Sequence, residues 1–317
     1  MGLRRELIIF ASSNRTNAPM QTPPTMLSIL IPVKDYDCRQ LVQALHRQGE
    51  ALGMPFEILL GEDGTSPQGL MLNSEAEHLT CCRRIISHEN IGRARIRNLL
   101  AREAQYPYII FIDSDAVVEK EDFLHCYTQA LKENVVVCGS LYHAAEQPDE
   151  ACSLRYKYEK EADRQRDALT RSKAPYDRFT TFNFAIRKKV FTSILFDESI
   201  TRYGYEDALF GKELERRGIE ILHIDNKLLH SGLESNAIFL AKTGQALATL
   251  AAIKEKIGRS PLLDAVEKLR RYHMTGIFMA YWRARRKSLL KNLNGKHPSL
   301  LKFKIYKLGY YISISHK

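Results

Sequence analysis

Cysteine pairs at redox or metal-binding spacing are absent from this sequence, although it contains 6 cysteines. Neither a C-x-x-C pair nor Cys and His at zinc-ligand spacing occurs, which excludes a disulfide scaffold and a zinc module. We therefore expect reduced thiols in a cytoplasmic protein. A run of about 18 apolar residues is also missing, so the sequence does not predict a membrane-spanning helix.

The composition is that of a folded protein. Hydrophobic residues make up 44% and charged residues 26% of the 317 positions, which excludes disordered, collagen-like and coiled-coil architectures. A chain of this length can form one large α/β domain with an appendage, or two modest domains, without disulfide staples.

The net charge of +10 is distributed unevenly. Residues 237–317 hold 17 Lys or Arg against 3 Asp or Glu, whereas the preceding 236 residues hold 30 basic and 34 acidic side chains. This distribution indicates that the near-neutral first 236 residues form a catalytic domain and that the basic C-terminal segment contacts an anionic partner.

The first 25 residues predict a flexible leader. Their apolar stretch at 7–11 is too short for a secretory signal, and residues 12–25 are rich in Ser, Asn, Thr and Pro. Met26 is therefore an alternative to Met1 as the start of the folded chain.

Apolar runs that end in polar turns alternate with helical patterns after the leader. Strands are predicted at 27–33, 56–60, 84–86 and 108–112, with a helix through Leu41, Leu45 and Leu52 and another at about 92–104. This order is typical of an open, doubly wound, mostly parallel sheet. Ligands of such sheets bind beyond the carboxyl ends of the strands, where the acidic turns of this chain fall.

The second half predicts more elements of both kinds. Strands are expected at 135–141, 179–186 and 219–224; helices at 123–132, 188–195, 205–217, from 237 onward, at 264–293 and at 300–314; and a long charged helix or loop at 151–171.

The sharpest local signal is Asp113-Ser114-Asp115, directly after the apolar run YIIFI. Two carboxylates on alternate residues at a strand end can hold a divalent cation that binds phosphate oxygens. The alternative is a solvated turn.

Other polar groups carry weaker signals, each with a structural alternative. Glu62-Asp63 can accept a nucleobase or ribose hydrogen bond or form a turn, and the arginines from Arg93 to Arg97 can reach a diphosphate or pair on the surface. Glu206-Asp207 can be a catalytic pair or stabilise a helix dipole. His230 can be a metal ligand or a structural histidine.

Seven segments in order together resemble the family 2 glycosyltransferases of the GT-A fold, over about residues 27–235. The segments are LSILIPVKD, GEDGTS, NIGRARIRN, FIDSD, FNFAIRKKVF, YGYEDALFGKEL and LLHSG. The resemblance implies a Rossmann-like α/β domain at 26–236, with a nucleotide-binding half at 26–118 and an acceptor half at 119–236, followed by a basic helical extension at 237–317.

The resemblance also implies roles for individual residues. Nucleotide contacts are expected from Pro32, Val33, Lys34, Asp35, Glu62, Asp63, Asn90, Gly92, Arg93, Arg97 and Asp113. Sugar contacts are expected from Asn183, Tyr203, Gly204 and Glu206, and Mn²⁺ or Mg²⁺ ligation from Asp113, Asp115 and His230. Asp207 is expected to be the catalytic base, with Glu206 positioning the acceptor. Glu62 departs from the family, because it replaces the first Asp of the commoner DDGS pattern.

The implied reaction is an inverting transfer of a sugar from a nucleotide-sugar to a hydroxyl, as in bacterial polysaccharide synthesis. The expected donor is a UDP-hexose or UDP-N-acetylhexosamine, and the expected acceptor is a glycan or lipid-linked glycan. The leaving diphosphate becomes more negative as its bond breaks, which a divalent cation and arginines can stabilise.

Two other activities remain open on the sequence. A nucleotidyltransferase acting on sugar phosphates would require a Gly- and Lys-rich triphosphate loop, which Pro32 to Asp35 does not provide. A non-catalytic nucleotide-sugar-binding scaffold would not need the acidic residues and His230. No nucleic-acid-binding motif accompanies the basic charge, so nucleic acid is not an expected partner.

The basic extension has two interpretations. Residues 264–317 interleave Lys and Arg with apolar and aromatic residues, which suits an anionic membrane surface. The alternative is a helical cap on the catalytic domain with a solvated basic face. The first interpretation predicts a cytoplasmic protein that is peripheral on the inner face of the cytoplasmic membrane.

Overall fold

The computed structural model of the protein describes residues 26–315 except Asn134 and Pro148. The predicted leader at 1–25 lies outside the described residues. All 6 cysteines are free thiols.

Ten strands form two sheets in the described residues. They are β1 (Leu27–Val33), β2 (Phe56–Asp63), β3 (Cys82–Ser87), β4 (Tyr108–Ile112), β5 (Ala116–Val117), β6 (Val135–Cys138), β7 (Leu141–Tyr142), β8 (Asn183–Arg187), β9 (Glu220–His223) and β10 (Leu228–His230). The main sheet has the order β3-β2-β1-β4-β8-β6-β9, and β5, β10 and β7 form a small second sheet.

Twelve α-helices are present in the described residues. They are α1 (Arg39–Ala51), α2 (Pro67–Leu72), α3 (Arg93–Glu103), α4 (Phe123–Ala130), α5 (Ser153–Asp163), α6 (Ala168–Ser172), α7 (Lys188–Ile194), α8 (Glu206–Arg216), α9 (Asn236–Ile257), α10 (Pro261–Arg271), α11 (Thr275–Leu293) and α12 (Leu300–Ser315). Two short 3₁₀ helices lie at Ser74–His78 and Glu150–Cys152.

Parallel pairing in the main sheet brings several strand ends to one edge. β1 pairs in parallel with β2 and β4, so that Leu27 lies opposite both Phe56 and Tyr108. β8 runs antiparallel to β4 and β6, which makes the sheet mixed rather than fully parallel. The prediction of an open, mostly parallel α/β sheet is confirmed. The polar turns after β1, β2 and β4 consequently meet at the same edge.

Apolar side chains alternate between the two faces of the sheet, and helices cover both. Ile29 and Ile31 belong to the core on the side of α1 and α4, whereas Leu30 and Phe111 belong to the core on the side of α3, α7 and α8. Burial on both faces explains why the central strands are continuous apolar runs.

Two predicted elements are divided in the structure. The strand expected at 135–141 is split into β6 and β7, because Ser140 takes a positive φ of 72° and ends the pairing. The helix expected at 264–293 is split into α10 and α11, with His273 between them at a φ of 56°. Neither residue is a glycine, so composition gave no sign of these breaks.

The C-terminal helices pack on the main fold and on each other. α9 contacts α5 and α8, and α12 packs between α9 and α11. The closest approach is at Gly309 of α12, where an added Cβ would lie 2.1 Å from the Trp282 ring of α11. In the part of the chain that the structure covers, none of the helices has the length and apolarity needed to cross a bilayer.

We predict that Gly309→Ala lowers the free energy of unfolding by about 1–3 kcal/mol, because the new methyl group must displace the indole ring. Trp282 is the only tryptophan of the chain, so its fluorescence reports this site directly. Urea unfolding followed by fluorescence measures the loss. Gly276→Ala is the matched control: it is helical with open space around a Cβ, so it should leave stability unchanged or raise it. Equal stabilities of the two variants would contradict the prediction.

Candidate active site

A cavity of about 640 Å³ opens at the carboxyl edge of the main sheet. Its wall is built from the ends of β1, β2 and β4, the start of α3, the segment before α8, and α9. The predicted residues in this wall are Pro32, Val33, Lys34, Asp63, Asn90, Gly92, Arg93, Arg97, Asp113, Asp115, Tyr203 and Glu206. A volume of this size is typical of a pocket for a small organic ligand.

Asp63 connects the end of β2 to the start of α3. Its two carboxylate oxygens accept the backbone N–H groups of Ile91 at 2.6 Å and Gly92 at 3.0 Å. Gly92 adopts a φ of 91°, which strongly favours glycine. The carboxylate thus orders the loop in front of α3, with its remaining lone pairs available at the cavity wall.

Arg97 and Asp113 form an ion pair between α3 and the end of β4. Arg97 Nη2 donates to Asp113 Oδ1 at 2.6 Å, and the Arg97 side chain is only 1% exposed. A guanidinium this deeply buried needs a carboxylate partner, because an unpaired buried charge is strongly destabilising. The pair therefore fixes the position of α3 relative to the first aspartate of the D-x-D segment.

Arg93 reaches across the cavity to the segment before α8. Its Nη1 lies 3.5 Å from Glu206 Oε1, and its guanidinium stacks over the Tyr203 ring at 4.8 Å. The Lys242 ammonium of α9 lies over the same ring at 5.3 Å. The two cations lie beside one aromatic ring, and each is also paired with a carboxylate, Arg93 with Glu206 and Lys242 with Glu234. Cations held at a cavity wall in this way can bind a phosphate group of a ligand.

Asp115 is the first member of a buried chain of hydrogen bonds. Its Oδ2 lies 2.9 Å from His230 Nε2, and His230 Nδ1 lies 2.9 Å from His143 Nε2. His143 Nδ1 in turn lies 3.0 Å from Asp163 Oδ1. When His143 Nδ1–H donates to Asp163 and His230 Nδ1–H donates to His143 Nε2, the His230 Nε2 atom remains directed at Asp115 Oδ2.

Electrostatics along the chain follow from these bonds. Burial opposes ionisation of Asp115, but the contact with His230 and the positive charge of Arg93 together hold the pKa of Asp115 below its ordinary value. Burial lowers the pKa of His143 despite the nearby Asp163. Asp115 is therefore an ionised carboxylate held at a fixed orientation.

The expected three-residue metal set is only partly assembled. Across the described ranges, no three His, Cys, Asp or Glu side chains are grouped as metal ligands. Asp113 is ion-paired with Arg97, and only Asp115 and His230 are in contact. That all three residues form one ligand group therefore stays a prediction, and in this structure the buried arginine engages the first aspartate.

Gly232 leaves the space in which the Asp115 carboxylate lies. A Cβ at this position would stand 2.4 Å from Asp115 Oδ2, which no side chain tolerates without movement. Only a glycine after His230-Ser231 lets the loop close on Asp115 in this way.

Glu62 and Asp35 do not line the cavity. Glu62 is fully buried, and its carboxylate accepts from Thr65 Oγ1 at 2.9 Å and Asn73 Nδ2 at 3.3 Å. Asp35 is exposed and accepts the backbone N–H of Ser66 at 2.8 Å. Both side chains hold the loops around the cavity, so the expectation of direct nucleotide contacts is wrong for this structure.

Asn183 and Gly204 also lie away from the cavity wall. The Asn183 side chain is completely buried and forms hydrogen bonds to Tyr127 and to the backbone of Ser140. It joins β8 to its neighbours, which corrects the expected sugar contact. Gly204 has a φ of 96° and packs against Ala246 of α9, so it shapes the turn before α8.

Glu206 and Asp207 open α8 but occupy different environments. Glu206 is 8% exposed and lines the cavity, and its buried Oε2 has no hydrogen-bond partner in the described residues. Asp207 is partly buried outside the wall and accepts the backbone N–H of Ala208 at 2.7 Å. Burial, and then the neighbouring Glu206, raise the pKa of Asp207 to about 6.

Several residues of the site were missed by the sequence interpretation. Lys242 and Gln245 of α9 line the cavity, although α9 lies in the segment assigned to the basic extension. His143 and Asp163 support His230 from residues that had no motif. Lys242 had no distinguishing signal among 17 basic residues, and the His143 contact depends on the pairing of β10 with β7.

We predict that His143→Leu lowers the free energy of unfolding by about 1–3 kcal/mol, because it leaves buried His230 Nδ1 without a partner and removes the ring contact of Asp163, which keeps its ion pair with Arg166. His143→Gln, which keeps a donor and an acceptor, should recover most of this loss. Urea unfolding of the three proteins at pH 7.5 measures the difference. A Leu variant as stable as the wild type, or less affected than the Gln variant, would show that the chain of bonds is not formed.

Comparison with known proteins adds independent information on this fold and site. Residues 28–195 match the sequence model of the family described as Glycosyl transferase family 2. A curated protein of Bacillus subtilis (strain 168), the uncharacterized glycosyltransferase YfnE, is 27% identical over 240 residues, which are 61% of this chain. The chain spans the same 61% of that relative's length.

A solved structure has the same overall fold. The mannosyltransferase PcManGT from Pyrobaculum calidifontis, in complex with GDP-Man and Mn²⁺, superposes with a TM-score of 0.53. The superposition covers 95% of this chain and 91% of that protein at 11% sequence identity, a level at which the likeness concerns the GT-A fold alone. Since the family match extends over more than half of the sequence and includes the strand ends that build the cavity, this chain belongs to glycosyl transferase family 2.

Proposed function

We propose that the protein is a glycosyltransferase that moves a sugar from a nucleotide-sugar donor to a hydroxyl group. The observation that carries this proposal is that two arginines, Asp115 and Glu206 line one cavity, with His230 in contact with Asp115 and Asp207 next to Glu206 just outside the wall. A phosphate-binding group, a cation-binding group and an acidic pair are the three requirements of the reaction.

The donor is proposed to be a UDP-hexose or UDP-N-acetylhexosamine. Arg93 and Lys242 supply positive charge beside Tyr203, where a diphosphate would be attracted. Asp63 and Asn90, in the same wall, are proposed to contact the nucleoside. The structural neighbour carries GDP-Man instead, so the nucleobase is the feature of this donor to be tested first.

A divalent cation, Mn²⁺ or Mg²⁺, fits the residues present. Asp115 and His230 would hold it, with the diphosphate completing its oxygen ligands, and the room that Gly232 leaves beside Asp115 supports this assignment. When bound, the cation supplies positive charge that neutralises the departing diphosphate. The structural neighbour contains Mn²⁺, which agrees with this choice.

The proposed reaction is an inverting displacement. The acceptor oxygen forms a bond to C1 of the sugar as the bond from C1 to the diphosphate oxygen breaks, and the electron pair of that bond leaves with the diphosphate. Arg93 stabilises the growing negative charge, while Arg97 stays paired with Asp113 and keeps α3 in place. The proton of the acceptor hydroxyl passes to a carboxylate.

Asp207 is proposed to be this base, and Glu206 to position the acceptor. Glu206 lines the cavity with a free carboxylate oxygen, as a group that binds a hydroxyl should. The raised pKa of Asp207, about 6, suits a base that works near neutral pH. Its side chain lies beside the wall, so proton transfer requires it to turn toward the cavity.

The acceptor is proposed to be a glycan or a lipid-linked glycan. We propose further that the protein acts in the cytoplasm, at the inner face of the cytoplasmic membrane. This location would bring a nucleotide-sugar pool and a lipid-linked acceptor to the same cavity.

We predict that Asp207→Asn reduces sugar transfer at least about 100-fold while leaving donor affinity within about threefold, because it removes the base and no donor contact. Glu206→Gln should instead mainly raise the acceptor KM. Nucleoside diphosphate release, with water or a simple saccharide as acceptor, measures transfer. If Glu206→Gln abolishes transfer and Asp207→Asn does not, the two roles are exchanged.

A pH profile provides the second measurement for the same pair. Wild-type activity should fall as the pH drops through about 6, where Asp207 takes up a proton. Because the pKa of Asp207 is higher in the folded protein than in the unfolded chain, this carboxyl makes the protein less stable as the pH rises from about 4 to 6. Asp207→Asn should therefore raise the free energy of unfolding by about 1–3 kcal/mol at pH 7.5 and by little at pH 4. Equal stability of the two proteins at both pH values would contradict this pKa.

We predict that UDP-sugars raise the melting temperature only when Mn²⁺ or Mg²⁺ is present, because the cation and the diphosphate complete each other's contacts. A thermal-shift panel of UDP-, GDP- and dTDP-sugars, with and without the metal, measures this. Asp115→Asn should remove the metal-dependent part, and the surface variant Asp122→Asn is the control. A shift that is the same in chelator would exclude the proposed metal site.

A further inference from the structure

A group of apolar and aromatic side chains is exposed at the junction of α10 and α11. Tyr272 is 68% exposed, Met274 49%, Ile277 71% and Tyr281 49%, all within ten residues. We call these four residues the apolar patch. Isolated exposed apolar residues are ordinary on protein surfaces, but four within ten residues at one helix junction indicate an interaction site.

The apolar patch lies on the side of α11 that faces away from the protein. Ile277 and Tyr281 are four residues apart and therefore share one helix face. Met279, Trp282 and Leu289, on the opposite face, are buried against the other C-terminal helices. The helix is thus anchored on one side and presents apolar groups to solvent on the other.

Along the sequence around the apolar patch, basic side chains greatly outnumber acidic ones. Residues 268–315 contain 12 Lys or Arg and no Asp or Glu. Arg271, Arg283, Arg285 and Lys287 are all exposed, so their charges are not neutralised by burial against the protein. The region combines an apolar centre with a strongly positive rim.

We propose that the apolar patch and its basic rim dock the protein on an anionic lipid bilayer, with the four apolar side chains inserted at the headgroup level. Tyrosine rings and aliphatic side chains partition into the bilayer interface, and each nearby Lys or Arg adds attraction to anionic lipids. The partner is a lipid surface rather than a single bound lipid, because the positive charge extends over three helices.

Charge and shape together favour a bilayer over other anionic partners. Nucleic acid would bind the basic side chains but gains little from exposed Ile277 and Met274. A second copy of this chain would place two surfaces of the same strong positive charge against each other, which repels them. Only a surface that is both anionic and able to take up apolar groups satisfies both features.

The test is flotation of the full chain with lipid vesicles at about 0.1 M salt. One set of vesicles is phosphatidylcholine alone, and the other also contains about 30% phosphatidylglycerol to provide an anionic surface. Two variants separate the components. The apolar variant carries Tyr272→Ser, Ile277→Ser and Tyr281→Ser, and the charge variant carries Arg283→Gln, Arg285→Gln and Lys287→Gln.

Control variants change exposed apolar residues and exposed basic residues elsewhere on the surface. Met71→Ser with Leu169→Ser removes two apolar side chains that are 76% and 75% exposed. Lys132→Gln, Lys173→Gln and Lys189→Gln remove three exposed positive charges from the main fold. Far-ultraviolet circular dichroism and the melting temperature establish that each variant is folded. Nucleotide-sugar turnover in solution should be unchanged, because none of the substituted residues lines the cavity.

The wild type and both controls are expected to float with anionic vesicles and not with phosphatidylcholine alone, and each test variant should lose more than about tenfold in partitioning. Undiminished flotation of either test variant, or none of the wild type, would overturn the proposal. Two further results would also overturn the proposal. One is that the wild type is a dimer in solution and the apolar variant a monomer; the other is that the wild type binds a single-stranded oligonucleotide more tightly than anionic vesicles.

Discussion

The ion pair between Arg97 and Asp113 is the interaction on which the arrangement of the cavity depends. It joins the first helix of the site, α3, to the strand whose end carries the D-x-D segment, and it does so with a guanidinium that water hardly reaches. Burying such a charge is stabilising only if the partner stays in place. The positions of Arg93, Asp115 and the loop ordered by Asp63 are therefore linked through one contact.

A second layer of polar contacts holds the Asp115 side of the site. His143 and Asp163 lie behind His230, and Gly232 closes the loop on Asp115. Residues behind a binding site commonly determine the orientation and charge of the residues that face the ligand. In this protein they lie next to the small second sheet or in α5, so residues later in the sequence than the D-x-D segment support Asp115 at the cavity wall.

The central strands and the acidic turns could be predicted from sequence because apolar runs and parallel pairing follow from short-range patterns and simple topology. Asp113 and Asp115 after β4, and Asp63 at the end of β2, fall at the cavity for that reason. Glu62 and Asn183 could not be assigned correctly, because which face of a strand end points outward depends on the local twist and on partners such as Asn73 and Tyr127. The same limit explains Lys242 and His143, which only tertiary packing brings to the site.

Helix α9 belongs to two parts of the molecule at once. Near its beginning it contributes Lys242 to the cavity wall, and further along it contributes Leu250 and Ile253 to the core that also contains Trp282. A continuous helix of 22 residues transmits orientation without a hinge. Any surface on which the C-terminal helices rest therefore sets the direction in which the cavity mouth points, and substrates tethered to that surface would meet the enzyme in a single pose.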